Sequence, residues 1–209
     1  GKDFVVAHPS ADIDTLRVAL VRGAFEYSGQ KCSAASRAYV PASLWPALKD
    51  QLIAEVEALK VGDVEDFSNF TSAVIDDRAF DKLRTAIDRA KATAGIEVLA
   101  GGSYDDSHGY FVRPTVLLGS DPGDEIFSRE YFGPLLAVHV YDDSTASGFA
   151  DVLSVVDAAS PYALTGAVIA DDRAAAAAAA AALRFTAGNF YVNDKPTGAV
   201  VGQQPFGGG

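Results

Sequence analysis

Residues 163–170, Ala-Leu-Thr-Gly-Ala-Val-Ile-Ala, form an apolar run without a single charged side chain. A strand exposed on one face alternates apolar with polar residues, whereas an unbroken run is what a strand needs when helices cover both of its faces. The next segment narrows the choice further. After Asp171, Asp172 and Arg173 come nine consecutive alanines, residues 174–182. Alanine is the best helix former, and the two aspartates stand where the helix dipole favours negative charge. A doubly covered strand feeding a helix is one unit of an α/β fold, and the same alternation can be followed along the whole chain.

Residues 4–7 read as a buried strand that His8-Pro9-Ser10 ends, and Ser10 or Asp12 is placed to cap the helix that follows. Leu16, Ala19, Leu20, Gly23, Ala24 and Tyr27 recur at helical spacing on one face of that helix. Residues 37–40 read as a strand. Ser43 and Pro46 open a second helix with Leu44, Leu48, Leu52 and Val56 inward, and a third starts at Asp76 or Asp77 with Phe80, Leu83, Ile87 and Ala90 inward. Gly95 stops it. Residues 96–99 are a strand and residues 101–109 a polar loop. The extended stretch 110–118 contains Pro114, which suggests an edge or irregular strand. Residues 121–134 read as a loop, 135–141 as a strand, 147–159 as a helix, 188–193 as a last strand and 194–209 as a glycine-rich loop. Helices of ten or more residues between strands give an α/β domain with a largely parallel sheet flanked by helices.

A formal charge of −11 argues against a nucleic-acid or anionic-membrane partner, which needs a basic face. The sequence has one cysteine, Cys32. It cannot form an internal disulfide, so the expected setting is a reducing compartment, the cytoplasm, with a free thiol. Asn69-Phe70-Thr71 matches a glycosylation acceptor but is read as a chance match. There is no methionine, so the 209 residues are expected to be a piece of a longer protein.

Three stretches hold residues suited to chemistry. Residues 25–36, Phe-Glu-Tyr-Ser-Gly-Gln-Lys-Cys-Ser-Ala-Ala-Ser, surround Cys32 with a glycine that lets the backbone turn and with small residues that offer the sulfur at that turn. Lys31 beside it favours a thiolate. A hydrolytic cysteine would also require a histidine, for which His8, His108 and His139 are the candidates. Residues 130–134, Glu-Tyr-Phe-Gly-Pro, set the Glu130 carboxylate and the Phe132 ring one residue apart, a pair able to grip a planar, hydroxylated ligand. In the loop 197–208, Thr-Gly-Ala-Val-Val-Gly-Gln-Gln-Pro-Phe-Gly-Gly, small residues bare adjacent amides that can bind a carboxylate or phosphate oxygen. The dinucleotide pattern Gly-x-Gly-x-x-Gly does not occur.

In this order and at these separations the three stretches resemble the NAD(P)-dependent aldehyde dehydrogenase superfamily, over residues 1–209. Gly1-Lys2 resembles the end of its Glu-x-Gly-Gly-Lys motif, and Gly188-Asn189-x-Tyr191-Val192-Asn193 its Gly-Asn-x-x-x-Asn strand. Residues 25–34 and 197–208 look like the branch that oxidises L-glutamate γ-semialdehyde to L-glutamate. The resemblance implies a catalytic domain whose nucleophile is Cys32, with its backbone N–H in the oxyanion hole. It implies that Glu130 and Phe132 hold the nicotinamide end of NAD, with NADP left open, and that Ser33, Gly198 and Ala199 bind the substrate carboxylate while Phe206 packs on its aliphatic part. It further implies a general base, an oxyanion-hole asparagine and an NAD-binding domain outside these residues, a parent that associates with copies of itself, and an isolated piece without activity. Rival readings are a phosphorylating or CoA-dependent semialdehyde enzyme of the same superfamily, a cysteine hydrolase, and an interaction domain with an inert buried thiol.

Overall fold

The computed structural model describes residues 1–200, 202–204 and 206–208. The strands are β1 (Asp3–Ala7), β2 (Ala35–Pro41), β3 (Ile96–Ala100), β4 (Tyr104–Asp105), β5 (Phe111–Val112), β6 (Thr115–Gly119), β7 (Leu135–Tyr141), β8 (Thr165–Ile169) and β9 (Asn189–Val192). The helices are α1 (Ile13–Phe25), α2 (Trp45–Ala58), α3 (Asp77–Ala92), α4 (Glu125–Ser128), α5 (Gly148–Ala158) and α6 (Arg173–Ala182). Seven strands form one sheet in the order β3-β6-β7-β2-β1-β8-β9, and β4 pairs with β5 in a separate hairpin. Every neighbouring pair in the large sheet is parallel except β3 with β6.

The period-two alternation of side chains sorts the core into two layers. Val5 and Ala7 of β1, Val40 of β2 and Ile169 of β8 pack under α1 and α2 with Leu16, Leu20, Leu48 and Leu52. Phe4 and Val6, Tyr39 and Val168 face the other way, against Leu83 and Ile87 of α3, Val152 and Val156 of α5 and Ala179 of α6. Both faces of β1 and β8 are therefore covered, and every residue of both strands is buried. The alanine run is a helix because Asp172 caps it, accepting from the Ala174 and Ala175 amides.

Several elements depart from the sequence expectation for identifiable reasons. Asp12 caps α1 by accepting from the Thr15 amide, while the Ser10 hydroxyl accepts from the Asp172 amide instead. The first helix stops at Phe25, because Glu26 is extended (φ −55°, ψ 135°), so Tyr27 lies off its inner face and is exposed. Ser43 does not open α2, since its amide and hydroxyl both bond the Asp143 carboxylate. The extended stretch around Pro114 is irregular rather than an edge: it breaks at the proline into β5, which pairs with β4, and β6, which lies between β3 and β7 with the proline just before its first residue, where no ladder bond is lost. The polar loop 101–109 contributes β4, and the loop 121–134 contains α4, capped by Asp124.

Candidate active site

The amino ends of adjacent parallel strands converge on Cys32. Gly1 and Lys2 lead into β1, Cys32 and Ser33 into β2, Glu130 and Phe132 into β7, and Leu164 into β8. Ligands of open α/β sheets commonly lie beyond the carboxyl ends of the strands; here the candidate residues gather at the opposite end.

Cys32 and Ser33 occupy the two central positions of a turn closed by the Ala34 amide donating to the Lys31 carbonyl at 3.1 Å. Cys32 is exposed and Ser33 half-buried. Neither the Cys32 nor the Ser33 amide is bonded among the described residues. Gly1 lies against this turn: a Cβ there would come within 3.1 Å of the Cys32 carbonyl oxygen and 2.4 Å of an Asp3 carboxylate oxygen.

The chain enters the turn through three consecutive left-handed residues, Tyr27 (φ 57°), Ser28 (φ 55°) and Gly29 (φ 64°). For the two that carry a Cβ this costs about 1–2 kcal/mol each. Contacts from other segments hold them in place. The Ser28 hydroxyl bonds Thr71 and the Ser72 carbonyl, and Gln30 Oε1 accepts from the Ile75 amide. Gly29 presses on the Gly133 carbonyl so closely that a Cβ would stand 2.3 Å from its oxygen. That contact joins the cysteine stretch to the Glu130 stretch.

Glu130 Oε1 accepts from the Phe132 amide at 2.7 Å, a bond that accompanies the left-handed Phe132 backbone (φ 55°) and leaves its ring partly exposed. With Tyr27, Ser28, Gln30 and Phe67, this ring lines a groove of about 640 Å³. Lys31 does not serve the sulfur as the sequence suggested. Its ammonium pairs with Glu26 at 2.9 Å.

The C-terminal stretch approaches through other contacts. Lys195 Nζ lies 3.0 Å from Glu26, and a Cβ at Gly23 of α1 would be 3.3 Å from the Pro196 ring. Gly198 and Ala199 are half-buried, and their amides carry no hydrogen bond among the described residues. Phe206 is half-exposed, next to Gly207, whose amide donates to Asn189 Oδ1 at the amino end of β9. Among the described residues, no hydrogen bond joins Gly198, Ala199 or Phe206 to Cys32 or Ser33. Val201 and Pro205 of this stretch lie outside the described residues.

Two buried charges beneath the turn carry no local signal in the sequence. Lys2 is fully buried, donates to the Ser36 hydroxyl at 2.8 Å and lies 5.1 Å from the Tyr131 ring centre. Burial pushes its ammonium down to about 7; the negative charge of Glu130 opposes this and Arg37 adds to it. Asp3 accepts from the Leu164 and Thr165 amides and the Thr165 hydroxyl. Burial pushes its carboxyl up to about 6, against the downward pull of the hydrogen bonds from Thr165 and Leu164. The same hydroxyl lies 3.4 Å from the Ser33 carbonyl. Both residues sit beside an apolar stretch that reads simply as a strand, and only the fold reveals what surrounds them.

The histidines belong to other neighbourhoods. His8 bonds Ser10 and meets Phe149 edge-on, His139 bonds the Gly119 carbonyl among Tyr39 and Phe127, and His108 is exposed beside the β4–β5 hairpin. No helix among the described residues is long and apolar enough to cross a membrane.

A model of the aldehyde dehydrogenase family matches residues 1–209. The chain is 50% identical over 208 residues to a protein of Dictyostelium discoideum named delta-1-pyrroline-5-carboxylate dehydrogenase, mitochondrial, and 48% identical over 209 residues to the one of that name from Homo sapiens. In both cases the match takes in 100% of this chain and 37% of the relative. Among solved structures, the Delta-pyrroline-5-carboxylate dehydrogenase of Mycobacterium tuberculosis bound with NAD superposes with a TM-score of 0.91 at 60% identity, over 99% of this chain and 37% of that one. A 1-pyrroline-5-carboxylate dehydrogenase from Thermus with bound NAD gives 0.87 at 33% identity, over 100% of this chain and 38% of that one. The chain therefore spans little more than a third of the length of the relatives it matches.

Proposed function

This chain belongs to the aldehyde dehydrogenase family, and from that premise we propose that it is the catalytic domain of an enzyme that oxidises L-glutamate γ-semialdehyde, the open form of Δ1-pyrroline-5-carboxylate, to L-glutamate in proline catabolism. The observation that carries the reading is the exposed Cys32 turn, supplied with unpaired amides and joined to the Glu130 stretch by the close approach of Gly29 to the Gly133 carbonyl. The names of the relatives support the choice of substrate.

Glu130 and Phe132 fit the nicotinamide end of NAD: a half-buried carboxylate able to accept from ribose hydroxyls stands beside an aromatic ring held partly in the open. When bound, NAD supplies the hydride acceptor that turns the Cys32 hemithioacetal into a thioester. Cys32 Sγ attacks the aldehyde carbon, and the Cys32 amide, free in the turn, donates to the developing oxyanion. Ser33 and the amides of Gly198 and Ala199 bind the substrate carboxylate, and Phe206 covers its methylene groups. Water then releases glutamate from the thioester, activated by a base that lies outside these 209 residues, as do the oxyanion-hole asparagine and the NAD-binding domain. The isolated chain is accordingly expected to be inactive. We place the enzyme in the cytoplasm and expect it to associate with copies of itself, with a small molecule as its partner and neither nucleic acid nor a membrane; mitochondrial is the setting printed for the curated relatives above.

The test is NAD-dependent oxidation of pyrroline-5-carboxylate by the longer protein, wild type against Cys32→Ala. The expected loss in the variant is at least about 10³-fold in kcat. Equal rates, or a wild type that turns the substrate over only with phosphate or CoA, would end the assignment.

A further inference from the structure

Glu26 stands in the cysteine stretch, and the mechanism leaves it without a task. It is the first residue after α1, with little of its side chain exposed. Its carboxylate collects three cations from three directions: Arg22 Nε at 2.7 Å from one turn back on α1, Lys31 Nζ at 2.9 Å and Lys195 Nζ at 3.0 Å. Burial pushes the Glu26 carboxyl up, but the bonds and charges of Lys31 and Lys195 outweigh it and hold the group below the ordinary carboxylate range. The anion is thus the form the structure keeps.

The arms of this cluster reach the two parts of the site that have no direct bond to each other. Lys31 precedes Cys32, and the Glu26–Lys31 pair spans the left-handed reversal at Tyr27, Ser28 and Gly29 from end to end. A strained reversal persists only when its surroundings over-determine it, and this pair clasps it from both sides. Lys195 lies three residues before Gly198. Lys31 and Lys195 both bond the same oxygen, Oε2. Such multivalent pairing of partly buried charges restrains geometry more than an exposed ion pair does.

We infer that Glu26 is a positioning residue that fixes the spacing between the Cys32 turn and the Gly198 and Ala199 amides, through Lys31 on one side and Lys195 on the other. This rests on the roles proposed above for Cys32 and those amides. Its consequence is selectivity. An aldehyde that carries a carboxylate must engage both parts at once, so it feels their spacing; a simple aldehyde engages only the cysteine.

The test compares the longer protein with its Glu26→Gln variant, which keeps the side-chain shape but not the charge that gathers the two lysines. The expected result is a KM for glutamate semialdehyde raised by about tenfold or more, with kcat and the kcat/KM for propanal each within about threefold of wild type. Equal kinetics, or a proportional loss on both aldehydes, would overturn the inference. Hydrogen exchange without substrate supplies a readout independent of turnover. Glu26→Gln is expected to speed exchange at residues 31–34 and 194–200, and Lys195→Met, which cuts one arm only, at 194–200 alone. Unchanged exchange in both variants contradicts the inference. A wild type that oxidises no semialdehyde would instead remove the proposed function, while the exchange data would still decide the role of Glu26.

Discussion

At Asp3 the site places a carboxyl group where neither water nor a full countercharge reaches it. Folding raises its pKa from 3.8 to about 6, so between these values the folded chain binds more protons than the unfolded one. Stability therefore falls as pH rises from about 4 to about 6, by an amount on the order of 3 kcal/mol from this group alone. Lys2 acts in a different window: lowered from 10.5 to about 7, it makes the fold more stable as pH rises above about 7. Asp3→Asn preserves acceptors for the Leu164 and Thr165 amides and has no proton to release. We expect unfolding measured by urea at a series of pH values to lose its decline between pH 4 and 6 in this variant; a decline of wild-type size would show that another group carries it. Cys32, Glu130 and Phe132 were legible as candidates because motif and spacing are local. Lys2, Asp3 and Glu26 were not, since their importance lies in partners 35 or more positions away for Asp3 and the Glu26–Lys195 pair.

At the scale of elements, local chemistry was a good guide wherever it settled the outcome. The aspartates at positions 12, 76 and 172 all cap helices through their side chains, as expected for residues that satisfy orphan amides. For α6, whose alanines contribute little buried bulk, the cap should matter. Asp172→Ala is expected to cost about 1 kcal/mol and to lower the thermal midpoint by a few degrees; an unchanged midpoint would show that packing of Ala175 and Ala179 suffices. Local pattern gives way where a distant segment overrides it. Helical periodicity carries on through Tyr27, yet the chain leaves α1 at Phe25, because Thr71, Ser72 and Gly133 hold the left-handed reversal that follows. Pro114 marks an irregularity and not an edge: the stretch breaks there into β5 and β6, and its position one residue ahead of β6 leaves the ladder with β7 intact.

For the whole molecule, the alternation of apolar strands and helices was enough for the class: a mostly parallel sheet covered on both faces. It could not supply the strand order or the end of the sheet at which the site lies, because the crossovers that fix both are tertiary. That order puts β1 between β2 and β8, so that the segments entering these strands and β7 meet at Cys32. The proposed function turns on Cys32 forming the acyl bond. Acid quenching of the longer protein during turnover of glutamate semialdehyde with NAD, followed by mass spectrometry of its peptides, tests this directly. A glutamyl adduct is expected on the peptide containing Cys32, absent without NAD; an adduct on another residue, or continued turnover by a protein whose Cys32 has been fully alkylated, would show that Cys32 is not the nucleophile.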